Sequence, residues 1–64
     1  MYGLRQAIEA AGGAAALARQ LGITVQAISQ WSQVPAERVV AVSRATHVPV
    51  TVLRPDLYPK DLVA

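Results

Sequence analysis

The stretch from Ala14 to Trp31, AAALARQLGITVQAISQW, leaves this chain few folds to choose from. Ala14, Leu17, Ala18 and Leu21 recur at helical spacing and make one apolar face. Gly22 follows at once, where a helix end favours a residue that accepts positive φ. Ile23 returns to the core, and Thr24 is a good N-cap for a second helix. Ile28 and Trp31 form the buried side of that helix. Gln26, Ser29, Gln30 and Gln33 are uncharged and hydrogen-bonding, which suits reading base edges in a major groove. The same residues also suit the solvent face of an ordinary amphipathic helix.

The flanks extend the helical pattern. Leu4, Ala7, Ile8 and Ala11 step i, i+3, i+4, i+7, predicting a first helix from about Tyr2 to Ala11 that Gly12-Gly13 ends. The second helix is expected over about Ala14 to Gln20 and the third over about Val25 to Ser32. Pro35 suits the first turn of a fourth helix running to about Thr46, with Val39, Val40, Val42 and Ser43 near its buried side. Val is a mediocre helix former, so the run 39–42 could also be argued as a strand. Helix is preferred because Glu37 lies in the first turn and Arg44 and His47 lie near the end. Pro49 opens a last short turn to about Leu53, and Pro55 stops it. Residues 48–53 are Val-rich and could alternatively be a strand; helix is preferred because Pro49 and Pro55 bracket them. The expected organisation is one domain over residues 1–55 with a tail over 56–64.

Composition narrows the function classes. A chain of 64 residues is one domain. A domain of this size buries only about 60% of its unfolded surface, so its stability is marginal and a partner would help. Apolar residues make up 53% of the chain, which fits either a tight bundle of small side chains or an apolar face for self-association. There is no cysteine, hence no disulfide framework and no thiolate metal site. A single His without paired ligands makes no metal centre, and His47 is expected at the surface. No run approaches the roughly 18 apolar residues of a membrane span. The N-terminal segment reads as a helix and not as a signal peptide, so a cytoplasmic protein at the nucleoid is expected. Catalysis would need a nucleophile with a base, paired carboxylates in a pocket or a metal cluster. Four acids and one His offer none, so neither an enzyme nor a cofactor is expected. The net charge is only +2, so any nucleic-acid binding depends on where the charges sit.

The segment Ala14 to Trp31 resembles the helix-turn-helix of Cro/CI-type (XRE-like) phage regulators. That motif places a small residue, a Gly and an aliphatic residue where this chain has Ala18, Gly22 and Ile28, with Leu17, Leu21 and Ile23 in the other apolar slots. ISQW (Ile28–Trp31), then VPAERV (Val34–Val39), then LRPDLYP (Leu53–Pro59) widen the likeness to small Cro-like repressors of the YdaS antitoxin type. The likeness covers nearly the whole chain. It implies an all-α, five-helix, λ-repressor-like DNA-binding domain with the helix-turn-helix at helices 2 and 3.

The resemblance also implies site residues. Val25, Gln26, Ser29 and Gln30 would face the bases. Gln can pair bidentately with adenine, and Val can cover a thymine methyl. No Arg or Lys lies within Val25–Gln33, which suggests an A·T-leaning operator or water-mediated contacts. Thr24 could reach a phosphate while capping its helix. Gly13 and Ala14, at the start of helix 2, offer N–H groups to a second phosphate, or form a simple loop. Ser32, Gln33 and Arg38 would lie beside the reading helix, with Arg38 the best charged phosphate contact. Arg19 could flank DNA or pair with an acid, and Arg5 could reach the backbone. Trp31 is expected to pack between helix 3 and the Val34-Pro35 elbow. Arg54-Pro55-Asp56 resembles a family signature and reads as structural, Pro55 ending the helix while Arg54 and Asp56 bridge or cap.

The expected partner is double-stranded DNA with a pseudo-palindromic operator, bound by a homodimer that represses by excluding polymerase. Dimer candidates are the apolar C-terminal residues Val48, Val50, Val52, Leu53, Leu57, Tyr58 and the tail to Val63. The alternative is an antitoxin-type protein-interaction module that neutralises a toxin through this apolar face, with or without autorepression.

Overall fold

Two small apolar clusters, joined along one seam, organise the chain. A computed structural model describes residues 2–59. The order is α1 (Tyr2–Ala11), α2 (Ala14–Leu21), α3 (Val25–Ser29), a 3-10 turn (Ala36–Arg38), α4 (Val39–Thr46) and α5 (Val50–Leu53). The fold is all-helical with the helix-turn-helix at α2–α3, and no strand occurs among the described residues. Residues 48–53 thus hold a short helix, as the flanking prolines suggest.

The first cluster holds Leu4, Ala7, Val34, Val39, Val42, Val48 and Leu53. The second holds Leu17, Ala18 and Ile28. Ile8, Leu21 and Trp31 pack against both. α1 packs on α2, α4 and α5, while α2 packs on α3 and α4. Gly3 makes the α1–α5 approach possible. A Cβ there would run into the Val52 carbonyl oxygen and lie 2.9 Å from Leu53 Cα.

Local departures from the sequence pattern have packing causes. α3 ends at Ser29, not near Ser32. Ile28 belongs to one cluster and Val34 to the other, and the chain leaves helical geometry to carry Val34 across. The fourth helix opens with the 3-10 turn, where the Arg38 N–H donates to the Pro35 carbonyl at 2.9 Å. Val40 is 46% exposed, against expectation. Val39, Val42 and Thr46, at i, i+3 and i+7, define the inward face and leave Val40 outside it.

Buried Thr46 finishes α4 with its side chain. Its hydroxyl donates to the Val42 carbonyl at 2.7 Å and accepts from the Val48 N–H at 3.2 Å. His47 is exposed and takes the left-handed conformation, φ 64, that closes the helix.

The expected tail begins as part of the fold. The Leu57 and Tyr58 N–H groups donate to the Arg54 carbonyl at 3.0 and 2.9 Å, and Tyr58 packs half-buried against the first cluster. Arg54 and Asp56 do bridge. Nε and Nη2 of Arg54 donate to Oδ1 and Oδ2 of Asp56 at 2.9 and 2.7 Å. The same guanidinium donates through Nη1 to the Val34 carbonyl at 2.8 Å. The Arg54–Asp56 hydrogen bonds raise the Arg54 pKa and hold the Asp56 carboxyl below its ordinary 3.8.

Candidate nucleic-acid interface

The turn between α2 and α3 is built from two local devices. Gly22 sits at φ 72, ψ 31, and the N–H groups of Gly22 and Ile23 close α2 on the carbonyls of Arg19 and Ala18 at 3.3 and 2.9 Å. Thr24 is extended, and its Oγ1 accepts from the Ala27 N–H at 3.1 Å. That cap matters because α3 has five residues, too few to hold a helix without tertiary support. Ile28, 3% exposed, supplies the support by entering the cluster of Leu17 and Ala18.

With Ile28 inward, the other face of α3 is free. Val25, Gln26, Ser29 and Gln30 are all exposed, Val25 at 43%. The Ser29 hydroxyl donates to the Val25 carbonyl at 3.1 Å, so its proton is engaged within the helix and its oxygen lone pairs remain for an outside donor. Both Gln side chains carry a donor and an acceptor, the pair that adenine requires in the major groove. Thr24 is exposed beside them.

The flanking candidates differ in what they offer. The Gly13 N–H donates to the Ile8 carbonyl at 2.8 Å and finishes α1, so Gly13 has no donor to give a phosphate, contrary to expectation. The first-turn N–H groups of α2, beginning at Ala14, are those without intrahelical partners. Nothing lies within 4 Å of a Cβ built on Gly13. Ser32 is exposed and Gln33 half-buried in the loop after α3. Arg38 is half-buried at the end of the 3-10 turn, and Arg19 is exposed in the last turn of α2. Among the described residues the one ion pair is Arg54–Asp56, so neither Arg19 nor Arg38 is paired within them. Arg5 is exposed on α1.

Trp31 packs as expected, though more centrally, because it touches both clusters. The C-terminal candidates separate sharply. Leu53 is 1% exposed and Val48 4%, both within the first cluster, so they have no surface left for a second chain. Burial inside its own core removes Leu53 from the dimer candidates. Val50, Val52 and Tyr58 pack half-buried on that cluster, and Leu57 is 44% exposed. Val63 lies outside the described residues. The link from Arg54 to Val34 was not foreseen from sequence; it joins residues 20 apart, and Arg54-Pro55-Asp56 signals only its local half.

Among the described residues no group of His, Cys, Asp and Glu could hold a metal ion. No described helix is long and apolar enough to cross a membrane.

A family model described as "Bacterial toxin YdaS" matches residues 4–62. A protein of Escherichia coli (strain K12) described as "Putative transcriptional regulator YdaS" is 42% identical over 62 residues. That match takes in 88% of this chain and 63% of the relative, so the chain spans less than two thirds of the relative's length. No solved structure matches.

Proposed function

The chain belongs to the YdaS family, and on that footing we propose that it is a sequence-specific DNA-binding transcriptional regulator, a Cro-like repressor of a phage or prophage promoter. The observation that carries this reading is the free face of α3. Three exposed side chains on α3, with Gln30 at its C-cap, stand on a helix anchored inward by Ile28, oriented by the Gly22 turn and capped by Thr24. A relative is described as a transcriptional regulator, which supports the same class.

In this reading α3 enters the major groove. Gln26 and Gln30 read base edges beside Val25 and Ser29. The first turn of α2 at Ala14, with Thr24, Ser32, Gln33, Arg38 and Arg19, positions the backbone. A homodimer places two such helices about 34 Å apart on a pseudo-palindrome. Repression follows by exclusion of polymerase from an overlapping promoter, in the cytoplasm at the nucleoid. With two to three cations engaged per subunit, the log–log salt slope of a dimer is about −4 to −5.

The test is an anisotropy titration against the promoter region flanking the chain's own gene and against scrambled DNA, at two salt concentrations. A wild-type preference that Gln26→Ala abolishes supports the reading. Equal binding to both duplexes, or none, refutes it.

A second reading makes the chain a protein-interaction module of a toxin–antitoxin pair. It is favoured by the description of the family as a bacterial toxin and by exposed Leu57 on the C-terminal turn. Tight 1:1 capture of a neighbouring gene's product, unaffected by Gln26→Ala, would support it.

A further inference from the structure

We infer that Val25 is a contact for the C5 methyl group of a pyrimidine, so that binding responds to that single methyl. The inference rests on the major-groove reading above and names the chemical group that one position of α3 recognises.

Val25 is one of three large apolar side chains exposed among the described residues, with Val40 and Leu57. It alone of the three stands on α3, in the first turn, beside Gln26. The Thr24 hydroxyl is engaged as the cap, and the Ser29 hydroxyl proton is turned to the Val25 carbonyl. No cation lies from Thr24 to Gln33 to reach past it to a guanine. The C5 methyl of a pyrimidine is the apolar group that a base edge presents in the major groove. Thymine carries it, and so does 5-methylcytosine.

The Val25–Ser29 bond sharpens the match. The main chain of Val25 is fixed from the next turn, and the Ser29 oxygen beside it is left as an acceptor. A methyl contact flanked by an acceptor suits a base pair that shows a methyl group together with an exocyclic amine. A T·A pair and a 5-methylcytosine·G pair both do so.

The experiment starts from the duplex that wild-type protein enriches from a random-sequence pool. Each thymine in turn is replaced by uracil, which removes only the methyl group. At one position per half-site the wild type is expected to lose about fourfold in affinity, the worth of burying one methyl group. Val25→Ala, at an exposed position where folding is unaffected by circular dichroism, should bind the thymine and uracil duplexes alike. In a second arm the contacted pair becomes C·G or 5-methylcytosine·G. A gain on methylation by wild type, absent in Val25→Ala, extends the contact to methylated cytosine. A response to uracil alone confines it to thymine. Tight, selective binding with no uracil effect at any position overturns the inference and leaves the DNA-reading function standing. A uracil effect that persists in Val25→Ala overturns it too. Failure to enrich any duplex overturns both.

Discussion

Arg54 grips Asp56 through two parallel hydrogen bonds, of 2.9 and 2.7 Å, while its third nitrogen reaches the Val34 carbonyl at 2.8 Å. One side chain thereby fastens the C-terminal turn to the loop that leaves α3. The planar fork of Arg suits this double task, and a Lys ammonium does not reproduce it.

Arg54→Ala is expected to lower the thermal midpoint, and Arg54→Lys to lower it less. The acid side of the stability profile gives a second check. The Asp56 pKa in the folded chain is depressed below 3.8, so its contribution is present above that value and is lost as pH falls through the lower folded value. Asp56→Asn should therefore flatten the acid limb of a urea-stability series and change its slope little near neutrality. An unchanged acid limb would show that the pair adds nothing to stability.

Gly3→Ala tests the α1–α5 contact. The added methyl meets the backbone of Val52 and Leu53, which has little freedom to move aside. A loss of about 1–3 kcal/mol is expected in urea unfolding, despite the better helix propensity of Ala. A neutral or stabilising outcome would mean that α5 is displaced at small cost.

Thr24→Ala removes the cap from a five-residue helix. The expected loss is about 0.5–2 kcal/mol of stability, and Thr24→Ser should restore most of it. Because Ile28 anchors α3 from inside, the fold should persist with a frayed first turn. Proton–deuterium exchange at the Ala27 amide reads this directly.

The proposed base-reading and positioning roles are expected to separate by substitution. Gln26→Ala and Gln30→Ala should each weaken the specific site by about 1–3 kcal/mol with little effect on random DNA. Arg38→Ala should weaken all sequences alike and reduce the salt slope by about one unit. Equal loss on specific and random DNA for either Gln variant would remove it from the reading set.

The helices were legible because their signals are local. Gly22 at φ 72, Thr24 as the cap, and the apolar face of Leu17, Ala18 and Ile28 are written in adjacent residues. What escaped the sequence depends on distant packing. Val40 looked buried because Val39 and Val42 are, yet the register of α4 against α1 and α5 turns it outward. The early end of α3 follows from Val34 serving a different cluster from Ile28. Leu53 looked free for a partner because its neighbours are apolar, and only the assembled fold shows that its own core takes it. The Gly13 amide looked available until the chain closed α1 on Ile8. Among the candidate site residues, those on α3 were the most readable, since a single inward residue decides the orientation of all the others.

That single anchor has an evolutionary consequence. Ile28 is the one buried residue of α3, and Val25, Gln26, Ser29 and Gln30 are all exposed and lie outside both clusters. Exchanges at these four positions that respect helix propensity should cost stability little, since exposed substitutions usually stay within about 0.5 kcal/mol. If this face reads DNA as proposed, a change of target sequence can proceed one side chain at a time without passing through forms that fail to fold.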